Sequence, residues 1–119
     1  MNGKIVYLLE DDADISELIA YILSEAGYVV KECESVSRFN EALNDNLPDI
    51  FILDILLPDG NGLDICQKLR NDGNTAGIPV LMMSAHKTKK DIEALGCGTD
   101  FIAKPFDIDK FRETVDQFA

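Results

Sequence analysis

Acidic, hydroxyl and ammonium side chains stand at the points where short apolar runs stop. Glu10, Asp11 and Asp12 follow the run from Ile5 to Leu9, Asp54 follows Ile50 to Leu53, Ser84 follows Pro79 to Met83, and Lys104-Pro105 follow Phe101 to Ala103. Carboxylates gathered at one crevice repel one another and persist with a cation between them or with raised pKa values. An all-oxygen donor set suits a hard ion, and an open site with room for water and a phosphoryl group suits Mg²⁺ better than Zn²⁺. Beside such an ion the Asp54 carboxylate can act as a nucleophile toward phosphorus, giving an aspartyl phosphate, or can serve only as a third metal ligand. Lys104 offers a point positive charge and Ser84 a hydroxyl donor to phosphoryl oxygens. A simpler reading of the acids from Glu10 to Asp14 is that they favour the positive end of the following helix. It fits Asp12 and Asp14 better than Glu10 and Asp11, which lie nearer the strand end.

For these residues to meet, the apolar runs must be neighbouring strands. Ile5 to Leu9 is a continuous apolar run, as in a strand covered on both faces. From Asp14 the period changes, with Ile15, Leu18, Ile19, Ile22, Leu23 and Ala26 at helical steps and Gly27 as the stop. Tyr28 to Cys33 reads as a second, more exposed strand, and Ser35 caps a helix whose apolar face is Val36, Phe39, Ala42 and Leu43. Ile50 to Leu53 is a third strand, followed by the turn-rich Leu56-Leu57-Pro58-Asp59-Gly60-Asn61-Gly62. Leu63, Ile65, Cys66 and Leu69 mark a third helix, Pro79 to Met83 a fourth strand, Lys87 to Leu95 a short helix, Phe101 to Ala103 a fifth strand, and Asp107 to Phe118 a closing helix. This alternation predicts an α/β, doubly wound five-stranded parallel sheet with helices on both faces. Its ligand site lies beyond the carboxyl ends of the strands, where the strand order reverses.

Composition narrows the function classes. The 119 residues, 46% hydrophobic and 28% charged, suit one domain running from 1 to 119, with no separate lid or cofactor domain. Eleven basic against 22 acidic residues give a net charge of −11, which disfavours direct contact with nucleic acid or anionic membrane. Cys33, Cys66 and Cys97 form no CxxC pair, so neither a disulfide framework nor a thiolate zinc site is expected, and a reducing, cytoplasmic setting fits. No signal peptide is legible, and no run reaches the roughly 20 apolar residues of a membrane span.

Taken together, Ile5-Val6-Tyr7-Leu8-Leu9-Glu10-Asp11, Asp54 through Gly62, Ser84-Ala85 and Lys104-Pro105-Phe106 resemble the receiver domain of two-component response regulators. Each motif is weak alone, but the set in this order is specific and covers essentially the whole chain. The resemblance implies a flavodoxin-like (βα)5 fold with strand order 2-1-3-4-5. It implies Mg²⁺, with Mn²⁺ as a substitute, held by Asp11 directly, by Glu10 directly or through water, by Asp54, and by the backbone carbonyl of Leu56. Asp54 would accept a phosphoryl group from a phosphohistidine on a sensor histidine kinase or a histidine phosphotransfer protein. Lys104 and Ser84 would then contact it, and Phe101 would turn inward as Ser84 moves. Lys104-Pro105 resembles the family's cis peptide. Leu56 and His86 occupy positions that tune access of water to the phosphoryl group. The implied protein is a signalling switch that catalyses only its own phosphorylation and dephosphorylation. It would act as a monomer or a phosphorylation-dependent dimer, with a possible C-terminal output domain beyond this chain.

Other readings attach to the same residues. Phe101 can be plain core, His86 an ordinary surface residue, and Lys87, Lys89 and Lys90 a solvated face. The stretch from Ser84 to Lys104 is shorter than the family's usual spacing, and Gly96-Cys97-Gly98 replaces its usual Gly-Ala pair, so dimerisation through this face is not assumed. A phosphatase using an aspartyl phosphate would place a second acid two residues past the nucleophile, where this chain has Leu56. A flavin module would need a hydroxyl-rich loop after the first strand, where this chain has acids. The remaining alternative is a receiver-like interaction module that is never phosphorylated.

Overall fold

The computed structural model describes residues 3–85, 90 and 100–119. The sheet runs β1 (Ile5–Leu9), β2 (Val29–Cys33), β3 (Ile50–Asp54), then, after a two-residue ladder of β4 (Leu56–Leu57) with β5 (Gly60–Asn61), β6 (Val80–Ser84) and β7 (Asp100–Ala103). Among the described residues the helices are α1 (Ala13–Glu25), α2 (Val36–Leu43), α3 (Gly62–Asn71) and α4 (Ile108–Phe118). The five long strands are parallel in the order β2-β1-β3-β6-β7. This is the doubly wound sheet the sequence pattern predicts, in the flavodoxin-like order that the resemblance implies, reversing between β1 and β3. The short helix expected from Lys87 to Leu95 lies outside the described residues, apart from Lys90.

Burial explains which run became which strand. Every residue of β3 and β6 is buried and β1 nearly so, because helices cover both faces of a central parallel strand. The edge strand β2 has a mostly exposed pattern, which is why its run mixes Lys31 and Glu32 with valines. Alternation sorts side chains to two cores. Tyr7, Leu9, Phe39, Phe51, Leu53 and Leu69 pack on the α2 and α3 side. Val6, Leu8, Ile19, Leu23, Ile52, Leu81 and Phe111 pack on the α1 and α4 side.

Local chemistry sets the ends of the helices. Gly27 closes α1 with φ 95°, a left-handed conformation that glycine adopts without strain, and Tyr28 N–H reaches back to the Leu23 carbonyl at 3.0 Å. Asp12 caps α1 by accepting from Asp14 N–H at 3.0 Å and Ile15 N–H at 3.2 Å. Ser35 and Asp107 cap α2 and α4 in the same way. The hairpin of β4 and β5 was not legible as strand, since two-residue ladders carry no periodicity.

The cysteines need one correction. Cys33 is a free, buried thiol, but Cys66 is disulfide-bonded, against the expectation of no disulfide. That expectation rested on spacing along the chain, which does not report which thiols folding brings together.

No described helix is long and apolar enough to cross a membrane.

Candidate functional site

The site is built from the carboxyl ends of the sheet. Glu10 leaves β1 and Asp54 ends β3, and β1 and β3 are adjacent, so parallel pairing alone sets the two carboxylates side by side. Asp11 follows Glu10 on the same rim. One carboxylate oxygen from each of Glu10, Asp11 and Asp54 lies within 4.8 Å of the others. Glu10 and Asp54 are buried, and Asp11 is exposed at the mouth. From the far side, Lys104 follows β7 and brings its Nζ onto Glu10 Oε1 and, at 3.0 Å, onto Asp54 Oδ2. The Lys104–Pro105 peptide is cis. Lys104 N–H also donates to the Ser84 carbonyl at 3.0 Å, which fastens β7's end to β6's end.

The electrostatics follow from this crowding. Burial pushes the Glu10 carboxyl up to about 7. The Lys104 hydrogen bond opposes that rise, and the neighbouring Asp54 adds to it. Burial pulls the Lys104 ammonium down, but its hydrogen bonds to Glu10 and Asp54 outweigh that and leave it above the usual lysine value. Two buried carboxylates with a third at the mouth hold more negative charge than one ammonium neutralises. Their donors are all oxygen, and the site is open on the Asp11 side. A hard divalent cation therefore fits the residues present.

Other residues singled out in the sequence fall around this centre. Ser84 is buried at the end of β6. Leu56, in β4, is exposed beside the loop that leaves Asp54. Phe101 is half-buried in β7 and packs against the α2 and α3 core. Asp12 and Asp14 are not in the metal-capable cluster: Asp12 caps α1 and Asp14 lies in its first turn. His86, Lys87 and Lys89 lie outside the described residues.

Asp59 and Gly62, which the sequence marks only as part of a turn-rich loop and of the family-like stretch from Asp54, make specific contacts in the structure. A Cβ on Gly62 would sit 2.2 Å from the Asp54 carbonyl oxygen and 3.0 Å from Ile55 Cα, so only glycine lets the start of α3 rest on the Asp54 backbone. Asp59 accepts hydrogen bonds from Val36 N–H at 2.9 Å and Ser37 N–H at 3.2 Å, across 23 and 22 residues of chain. Two glycines within three residues, Gly60 and Gly62, are a signal of close approach, but nothing in one sequence says what is approached.

A doubly wound sheet with three clustered carboxylates and one lysine at its switch point defines a receiver-type domain. Comparison with known proteins agrees. The family described as response regulator receiver domain matches residues 6–116, and the chain belongs to it. It is 37% identical over 109 residues to the phosphate regulon transcriptional regulatory protein PhoB of Pseudomonas aeruginosa, covering 89% of this chain and 47% of that protein. The chain thus spans about half the length of the curated relatives it matches. In structure it is similar to a putative response regulator from Chloroflexus aurantiacus, with TM-score 0.89, 28% identity and 98% of each chain covered. The receiver domain of a sensor histidine kinase from Pseudomonas aeruginosa, described with a magnesium ion coordinated in its active-site cleft, shares the fold at TM-score 0.85 and 23% identity, covering 98% of this chain and 97% of that one.

Proposed function

We propose that this domain, spanning residues 1–119, accepts a phosphoryl group on Asp54 from a phosphohistidine in a Mg²⁺-dependent reaction, and that the modified surface changes its partners. The observation that carries this reading is the convergence of Glu10, Asp11 and Asp54 within 4.8 Å, with Lys104 bridging the two buried members. Glu10, Asp11, Asp54 and the Leu56 carbonyl would hold the ion. When bound, Mg²⁺, or Mn²⁺ in its place, supplies neutralisation of phosphoryl charge.

The chain's own residues account for the rest. An Asp54 carboxylate oxygen attacks phosphorus in line as the phosphorus–nitrogen bond to the donor imidazole breaks. The leaving imidazole keeps the bonding pair and takes a proton from solvent. Lys104, already held 3.0 Å from Asp54, transfers its ammonium from carboxylate to phosphoryl oxygen, and the Ser84 hydroxyl donates to another. Ser84 moves toward the new group and Phe101, half-buried against the core, turns into the space it leaves. Leu56 and His86 set how readily water reaches the acyl phosphate. The domain is then a switch rather than an enzyme acting on other molecules.

The phosphodonor is a sensor histidine kinase or a histidine phosphotransfer protein, in the cytoplasm. The output passes through an effector domain, as the transcriptional relatives suggest, or through a separate partner. The net charge of −11 favours protein contacts over direct nucleic-acid or membrane contact, by a monomer or a phosphorylation-dependent dimer.

The test is intact-mass spectrometry after incubation with acetyl phosphate, with and without Mg²⁺, on the wild type and Asp54→Asn. A Mg²⁺-dependent gain of one phosphoryl group, absent from the variant, is expected. An adduct that persists in Asp54→Asn would sink the assignment. So would no adduct in a wild type that also fails to bind a beryllium fluoride analogue, which would favour the unphosphorylated interaction module.

A further inference from the structure

The loop that carries Leu56 is pinned to α2 by one side chain. At its base Ile55 N–H donates to the Met83 carbonyl at 3.0 Å, Gly62 N–H donates to the Ile55 carbonyl at 2.8 Å, and Gly62 lies against the Asp54 backbone. Leu56 pairs with Asn61 and Leu57 with Gly60, so Pro58 and Asp59 form the tip of a narrow hairpin. A half-exposed two-residue ladder, with Leu57 resting on the α2 and α3 core, holds its tip weakly by itself. The tip is nevertheless fastened, because the Asp59 carboxylate takes the first two amides of α2, from Val36 and Ser37. Gly60 closes the same contact: a Cβ there would meet Val36 Cγ2 at 2.8 Å. These bonds are charge-assisted, with the carboxylate at the positive end of the helix.

We infer that Asp59 is a positioning residue of the phosphoacceptor site, holding the hairpin, and with it the Leu56 carbonyl, in place for the cation by anchoring the loop tip to α2. This rests on the proposed reading of Asp54 as acceptor and Leu56 as backbone ligand. A backbone ligand cannot be tuned by its own side chain, so its placement depends on how the loop is held. Asp59 is not one of the clustered carboxylates; its own oxygens are on the α2 amides. It acts by lowering the freedom the loop must lose when the cation binds.

A purely structural role would show as weaker α2 alone, and Ser35 separates the two. Ser35 Oγ accepts from Arg38 N–H at 3.2 Å, so Ser35→Ala also weakens the start of α2 but leaves the hairpin's anchor intact. The experiment is calorimetric titration with MgCl₂, together with the acetyl phosphate reaction rate by intact mass, on wild type, Asp59→Ala, Asp59→Asn and Ser35→Ala. Asp59→Ala is expected to weaken Mg²⁺ binding and slow phosphorylation by about tenfold, the scale on which outer partners of metal ligands act. Asp59→Asn keeps one acceptor oxygen and should lie between, and it carries the test if the alanine variant does not fold. Ser35→Ala should stay within about twofold of wild type on both readouts. Wild-type affinity in Asp59→Ala, or an equal loss in Ser35→Ala, would overturn the inference while leaving the acceptor assignment standing. A wild type that binds no Mg²⁺ and takes no phosphoryl group would bring down both.

Discussion

Lys104 stands between two buried carboxylates and so decides how the site behaves without a cation. Removing one member of a buried ion pair leaves an uncompensated charge, at a cost of about 3–5 kcal/mol. Lys104→Met should therefore lower metal-free stability at pH 8 by about that much, with Glu10 and Asp54 left facing each other. Added Mg²⁺ should raise the melting temperature of this variant more than that of wild type, because the ion then relieves a larger repulsion. An equal rise in both, read by differential scanning calorimetry with EDTA or MgCl₂, would count against the carboxylate pair as the cation's seat. Gly62 makes the opposite kind of contribution, by having no side chain. In Gly62→Ala the new methyl meets the Asp54 carbonyl oxygen at 2.2 Å, and backbone on both sides of the contact must move. A loss of about 1–3 kcal/mol, typical of overpacking, is expected in urea unfolding, with slower uptake of the phosphoryl group proposed for Asp54.

At the scale of elements, the sheet is completed by contacts between distant parts of the chain. Tyr28, just before β2, donates its hydroxyl to Asp116 in α4 across 88 residues, and Lys4 Nζ reaches the Ala119 carbonyl at 2.6 Å. These bonds tie the closing helix to the first two strands. Tyr28→Phe removes one of them, and because Asp116 lies at the surface the loss should be about 1 kcal/mol rather than the full value for a buried charged partner. The pH dependence has a definite sign. Burial, the hydrogen bond to Asp116 and its charge all raise the Tyr28 pKa, so the folded state holds this proton more tightly than the unfolded chain does. The contribution is complete below pH 10, the ordinary tyrosine value, and is lost as pH rises through the higher folded value. Denaturation followed from pH 8 to 11 should show a steeper alkaline decline for wild type than for Tyr28→Phe. Parallel curves would show that this hydroxyl does not titrate late.

For the whole molecule, charge is the dominant property. A surplus of 11 negative charges on a body with a radius of gyration of 12.9 Å repels itself. Screening shortens the reach of that repulsion to about 10 Å at 0.1 M salt. Thermal stability should therefore rise between low-salt buffer and moderate NaCl, and the first millimolar additions of MgCl₂ should exceed that effect by acting at one place. A melting temperature that falls with NaCl would mean that attractive surface pairs such as Arg38 with Glu41 and Arg112 with Asp109 outweigh the net repulsion.

Much of this protein was legible in its sequence, for a physical reason. A central strand buried on both faces must be apolar from end to end, so Ile5 to Leu9 and Ile50 to Leu53 announce themselves, and the polar residue that ends each run must emerge at the rim. That is why Glu10, Asp54, Ser84 and Lys104 stand out in the sequence as residues of the rim. The tertiary structure alone decided what those residues touch. Strand order made Glu10 and Asp54 neighbours, and only the fold brings the Lys104 ammonium back to both of them from the end of β7, two strands away from β3. The work of Asp59 and Gly62 was out of reach, because a cap offered to another helix and a missing Cβ are relations between segments that no local pattern encodes. The disulfide of Cys66 runs against the expectation of none for the same reason: spacing along the chain says nothing about which atoms folding brings together.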